Sequence, residues 1–121
     1  MEFINCADIA ELANPGVVSR QLLWSENSNS KNMTLTEVHL ISGAEQPRHT
    51  HKKSEQVWYA LQGSGQLLLA DDCEAAFAAG DVVRFEKGDV HGLRNDGDIE
   101  FVYISVTSPP LNFSNAYRRK K

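Results

Sequence analysis

Apolar and polar residues alternate with a period of two along much of this chain, in short runs separated by turn-forming residues. "MTLTEVHLI" shows it best. Thr34, Thr36, Val38 and Leu40 fall on one face of an extended strand, and Leu35, Glu37, His39 and Ile41 on the other. "VVSRQLLW" and the β-branched, aromatic "QVWYAL" read as further strands. "QLLLA" follows "QVWYAL" across "QGSG", a pairing that reads as a hairpin around glycines. "EAAFAA", "VVRF" and "VHGLRN" follow, punctuated by "DDC", "GD" and "EKGD". "IEFVYISVT" is the strongest strand, and "SPP" stops it because proline cannot continue a ladder. One segment departs from the pattern. "ADIAELANPG" reads as one or two helical turns, with Asp8 as N-cap, Glu11 three positions later and Pro15-Gly16 as the stop. "SENSNSKN" reads as a loop or flap.

Many short strands and almost no helix predict an all-β sandwich or barrel. The 121 residues are about one domain's worth, so a single domain over 1–121 is expected, with a C-terminal tail from Leu111. Leu111, Phe113 and Tyr117 are the tail residues expected to pack on the body or on a partner. Net charge sharpens the picture. The total is −4, but the final "RRKK" holds four of the twelve basic residues, and without them 8 basic residues face 16 acidic ones. A body that acidic repels nucleic acid. No apolar run approaches the roughly 18 residues of a membrane span. The start lacks the basic and apolar regions of a signal peptide, and two distant cysteines, Cys6 and Cys73, make no disulfide framework, so a cytoplasmic location is expected.

The chemistry concentrates in "RHTHKKSEQVWY". His49 and His51 share a face of an extended strand, with side chains roughly 6–7 Å apart along it, which suits two imidazoles converging on one ion. His91, after the "EKGD" turn, can return to face them in an antiparallel barrel. His39 and Glu55 are the candidates for proton transfer. Trp58, Phe85, Phe101 and Tyr103 read as core or cavity lining, Glu86 and Asp89 as exposed turn residues, and Arg48 as facing away from His49.

Two longer stretches give these residues a frame. "GAEQPRHTHKKSEQVWYALQG", from Gly43 to Gly63, and "GDVVRFEKGDVHGLRN", from Gly80 to Asn95, resemble the two motifs of the cupin superfamily. With the flanking strands the resemblance covers roughly residues 33–107. It implies a jelly-roll β-barrel, the double-stranded β-helix. It also implies a divalent transition metal held by His49, His51, His91 and one residue of the Glu55-Gln56 pair. Gln56 stands the expected six residues before Gly63, and the strand register puts Gln56, Trp58 and Ala60 on the inner face. Glu55 takes the place of Gln56 if a bulge intervenes. Nitrogen-rich ligation suits Fe, Ni, Zn, Mn or Co. The usual proline of the second motif is Glu86 here, which is expected to loosen that turn.

Function follows as expectation. The first is a metal-binding isomerase, lyase or dioxygenase acting on a small polar or anionic carbohydrate, hydroxy acid or phenol inside the barrel. The alternative is a binding or sensor barrel without turnover. Small cupins are similar in pairing as homodimers, with "VVSRQLLW" and the aromatic tail as the candidate surface here.

Overall fold

The structure is a computed structural model that describes residues 1–111 and the backbone of 118–119. The strands among the described residues are β1 (Ala10–Asn14), β2 (Val17–Leu23), β3 (Thr34–Leu40), β4 (Glu45–His49), β5 (Glu55–Gln62), β6 (Ser64–Leu68), β7 (Glu74–Ala78), β8 (Val82–Phe85), β9 (His91–Arg94), β10 (Phe101–Ser108) and β11 (Arg118–Arg119). All pair antiparallel, in a seven-stranded sheet ordered β11-β1-β2-β3-β10-β5-β8 and a four-stranded sheet ordered β4-β9-β6-β7. The architecture is the all-β double-stranded β-helix that the alternation and the two motifs predict. Among the described residues no helix is long and apolar enough to cross a membrane. Phe113 and Tyr117 lie outside the described residues.

Two expectations about local structure are overturned. The predicted helix at "ADIAELANPG" is a strand: Ala10 to Asn14 pair with Gln21 to Val17, and Leu12 is fully buried. The helical content nearby is a single 3-10 turn at Cys6–Asp8, capped by the Asn5 side chain. Tertiary pairing outweighs a local helix signal of a few tenths of a kcal/mol per residue. Pro15 and Gly16 end β1 as foreseen, but as the two central residues of a hairpin, Gly16 taking φ +75°. The second correction concerns "QVWYAL" and "QLLLA". β5 pairs with β10 and β8, while β6 pairs with β7 and β9, so these neighbours lie in different sheets. Gly63 makes the corner with φ +93°, where a Cβ would meet the Glu100 carbonyl and Phe101 Cα at 3.1 Å. The loop after β2 is tied down by Asn27. Its carboxamide oxygen accepts from Trp24 N–H at 2.9 Å, and its nitrogen reaches the Leu22 carbonyl at 3.2 Å and Asp8 carbonyl at 3.3 Å.

The two sheets close on a core of Val17, Val38, Leu40, Trp58, Ala60, Leu67, Phe77, Phe85, Leu93, Phe101 and Tyr103. β3 buries Thr34, Thr36, Val38 and Leu40 in strict alternation. Burying each large apolar side chain stabilises the fold by about 1.5–3 kcal/mol. The core is graded along the barrel. The rows through Leu40, Phe101 and Phe77 are apolar, whereas those through Thr36, Ser105, Thr107 and Gln56 are polar yet equally buried. That polar end holds the site.

Candidate metal centre

His49, His51 and His91 come together in space, with their ligand-type nitrogens all within 4.8 Å of one another. A fault in the β4–β9 ladder makes this happen. Gln46 lies opposite Leu93, but His49 lies opposite His91, so β4 carries one residue more than its partner between those pairs. Pro47, which has no N–H to donate, occupies that bulge. The extra residue turns His49 inward and sends the Arg48 guanidinium to the Leu69 carbonyl at 2.8 Å and the Cys73 carbonyl at 3.3 Å. Gly92 allows the close approach, since a Cβ there would stand 2.6 Å from the Gln46 carbonyl oxygen. His51 follows β4, and its carbonyl accepts the Gly88 N–H at 2.9 Å.

The turn from Glu86 to Asp89 is firm without its proline. The Asp89 carboxylate accepts from the Glu86 N–H at 2.8 Å, a donor that proline would lack, and the Asp89 N–H donates to the Glu86 carbonyl at 3.0 Å. Glu86 therefore does not loosen the turn. Asp89 does more than stand exposed: its carbonyl lies 2.9 Å from His91 Nδ1. Asn95, at the far end of the motif, ties the exit of β9 to the Leu40 and Ile99 carbonyls at 3.1 and 2.9 Å.

Two of the three imidazoles, His49 and His91, are oriented by a backbone carbonyl at Nδ1. His49 Nδ1 lies 2.9 Å from the Pro47 carbonyl, which leaves Nε2 for the cluster. His51 Nε2 is buried with no hydrogen-bond partner among the described residues. His91 is 2% exposed, stacked on Phe85 at 4.4 Å and edge-on to Trp58. Burial, helped by the neighbouring imidazoles, lowers the pKa of both His51 and His91 to about 4, so both are neutral near pH 7.

Neutrality exposes a conflict. A neutral imidazole has one N–H, yet His91 faces two acceptors, the Asp89 carbonyl at 2.9 Å and Gln56 Oε1 at 3.1 Å. Gln56 cannot resolve it by turning its amide. Its Oε1 receives the donor-only Trp58 indole N–H at 3.2 Å, and its Nε2 donates to Thr107 Oγ1 at 2.8 Å. With Nδ1–H given to Asp89, the lone pairs of His91 Nε2 and Gln56 Oε1 point at one another. A cation held by both would remove that repulsion and would give the unpartnered His51 Nε2 a partner. The residues present fit a metal ion.

The Glu55-Gln56 pair divides as strand alternation dictates. Gln56 is buried, while Glu55 points outward into an exposed ion pair with Arg84 at 3.0 Å. His39 also faces outward, between Glu37 at 2.7 Å and Glu100 at 2.9 Å. Burial opposes its charge, but the bonds to Glu100 and Glu37 outweigh it and raise the pKa. Neither His39 nor Glu55 reaches the histidine cluster, because each occupies the solvent face of its strand. Cys6 and Cys73 are free and exposed.

The cluster opens on a cavity of about 510 Å³, within the usual range for small-molecule sites. Sequence reasoning missed much of its wall. Gln46 accepts the Tyr103 hydroxyl at 2.6 Å, and Ser19, Thr36 and Ser105 add hydroxyls from the larger sheet. Their place on buried, alternating positions was legible, but which of those positions border a cavity is set by how the sheets close. Pro47 inside a strand was the available signal for the bulge.

The cupin domain family matches residues 36–107. A germin-like protein, subfamily 2 member 1, from Arabidopsis thaliana is 32% identical over 113 residues, covering 83% of this chain and 52% of the relative. The chain thus spans about half the length of that relative. The crystal structure of ectoine synthase from P. lautus superposes with a TM-score of 0.78 at 18% identity, over 96% of this chain and 83% of that one. A predicted oxalate decarboxylase from Thermotoga maritima gives 0.75 at 20% identity, over 89% and 99% of the two chains. At these identities the structural likeness is one of fold.

Proposed function

Because this chain belongs to the cupin domain family, we propose that it is a metal-dependent enzyme for a small polar or anionic substrate. His49, His51, His91 and Gln56 would hold a divalent transition metal. The observation behind this reading is one corner of the cavity where His51 Nε2 is buried without a partner and His91 Nε2 faces Gln56 Oε1, an acceptor whose donor is the Trp58 indole. The ion would supply a Lewis acid to polarise a carbonyl or hydroxyl of the substrate, or a redox centre if it is iron or manganese. Three neutral imidazoles and an amide leave the positive charge uncompensated, which favours an anionic substrate group at the site. Trp58 and Phe85 shield His91 from water, and the Asp89 and Pro47 carbonyls keep the ligating nitrogens aimed inward. With His39 and Glu55 on the outer surface, the titratable cavity residues beyond the histidines are Tyr103 within and Glu45 and Arg48 at the rim, the Arg48 guanidinium being held by two backbone carbonyls. The reaction class that suits this set is isomerisation, lysis or oxygenation of a carbohydrate, hydroxy acid or phenol. That similar folds include a synthase and a predicted decarboxylase supports an enzyme over a passive barrel.

Elemental analysis of the purified chain tests the reading. It should carry close to one equivalent of a transition metal, and His51→Ala and His91→Ala should lose it while remaining folded. A chain that neither contains nor takes up metal would sink the proposal. Metal and ligand binding without turnover of any candidate substrate would instead favour a binding barrel. We further propose that the protein pairs as a homodimer, as small members of the family do.

A further inference from the structure

The wall that the larger sheet presents to the cavity is built of hydroxyls, and they are buried. Ser19 on β2 is 2% exposed, Thr36 on β3 is 3% exposed and Ser105 on β10 is 3% exposed, and all three line the cavity. They are neighbours on one inner face: Thr36 sits directly across from Ser105, and Gln21, two residues from Ser19, sits across from Thr36 on its other side. Adjacent strands are about 4.8 Å apart, so Ser105, Thr36 and Gln21 form a polar strip, and Ser19, itself opposite Val38, joins its end through the Gln21 amide. Two details show that the strip is not satisfied from within. Ser105 Oγ has no hydrogen-bond partner among the described residues. Ser19 Oγ accepts the Gln21 amide at 2.7 Å, which leaves its own proton to donate elsewhere. A buried hydroxyl without a partner opposes folding, whereas alanine or valine at such inward strand positions would not.

The strip also lacks charge. The charged residues around the cavity, apart from the histidines, are Glu45 and Arg48, both exposed on β4, and the Arg48 guanidinium is committed to two backbone carbonyls. A second carboxylate or phosphate laid against Ser19, Thr36 and Ser105 would lose its hydration without meeting a counter-charge. An alkyl chain would leave the hydroxyls unmet. A hydroxylated carbon chain, which donates and accepts at each carbon, meets both requirements, and Val17 and Val38 in the same lining suit its C–H edges.

We propose that the Ser19–Thr36–Ser105 strip selects substrates with an uncharged, polyhydroxylated body and a single anionic or chelating head. This inference rests on the metal reading above, because the head is the part that the histidine cluster would take.

Calorimetric titration of the metal-loaded chain with three six-carbon probes tests it. Gluconate has a hydroxy-acid head and a hydroxylated body. 2-Hydroxyhexanoate keeps the head and makes the body apolar, and glucarate places a second carboxylate at the far end. Gluconate should bind at least about tenfold more tightly than either, the effect expected of one or two hydrogen bonds. Ser105→Ala should weaken gluconate about three- to tenfold, leave 2-hydroxyhexanoate unchanged and leave the metal content unchanged. It should also raise the unfolding midpoint of the ligand-free chain, since it removes an unpartnered buried hydroxyl. Equal affinities for gluconate and 2-hydroxyhexanoate, a preference for glucarate, or a Ser105→Ala variant that binds gluconate normally would each overturn the proposal while leaving the metal reading intact. A chain that takes up no metal removes both.

Discussion

Glu55 and Gln56 are neighbours with unrelated surroundings, because successive side chains of a strand point to opposite faces. Gln56 is buried among His91, Trp58 and Thr107, whereas Glu55 shares solvent with Arg84. The two are therefore separable by mutation. Glu55→Gln should leave metal content unchanged and cost no more than about 1 kcal/mol, as for an exposed ion pair. Gln56→Ala should weaken metal retention about 10–100-fold, read by titration against a chelator. The reverse pattern would transfer the ligand role to Glu55. The inward register of Gln56 was legible from its alternation with Trp58 and Ala60, which are buried with it; the count back from Gly63 crosses a register shift between Ala60 and Gln62, beyond the stretch that carries Gln56. Its carbonyl orientation was not. That depends on the indole of Trp58 and the hydroxyl of Thr107, and Thr107 is fifty-one residues away along the chain.

At the scale of elements, the site depends on one irregular ladder. β4 and β9 approach closely only because residue 92 has no side chain, and the bulge at Pro47 then puts His49 opposite His91. Gly92→Ala would force a Cβ to within 2.6 Å of the Gln46 carbonyl and push these strands apart. We expect it to lose about 1–3 kcal/mol of stability and to lower metal uptake with it, measured by thermal unfolding and elemental analysis. Gly80→Ala is the control. A Cβ there meets nothing, so only the left-handed φ of +96° should cost, about 1–2 kcal/mol, with metal uptake retained. Metal loss in both variants alike would show that general destabilisation, not the β4–β9 approach, controls the site. The strands themselves were legible from alternation. Their partners were less so. β5 and β6 read as a hairpin because both flank glycines, but Gly63 turns the chain into the other sheet, and β1 read as helix until β2 offered it a ladder.

For the whole molecule, the outer face of the larger sheet supports the proposed dimer. Tyr59 is 45% exposed, Leu61 46% and Val82 64%, and Tyr59 lies in register with Val82 on one side and Ile104 on the other. It is a second candidate beside the "VVSRQLLW" and tail surface expected from sequence, of which most of the tail lies outside the described residues. Sedimentation should give twice the 13.5 kDa chain mass, and Tyr59→Lys should shift the protein toward monomer. A single-chain mass across a wide concentration range would rule the dimer out. The chain's own sequence determined the all-β class, the strand alternation, the three histidines and the shared face of Gln56, Trp58 and Ala60, because these are consequences of local periodicity and spacing. Only the tertiary structure decided that His39 and Glu55 stand outside, that a bulge aims His49 inward, and that a hydroxyl strip borders the cavity. Those outcomes depend on which strands become neighbours and how two sheets close, and contacts between residues distant along the chain set both.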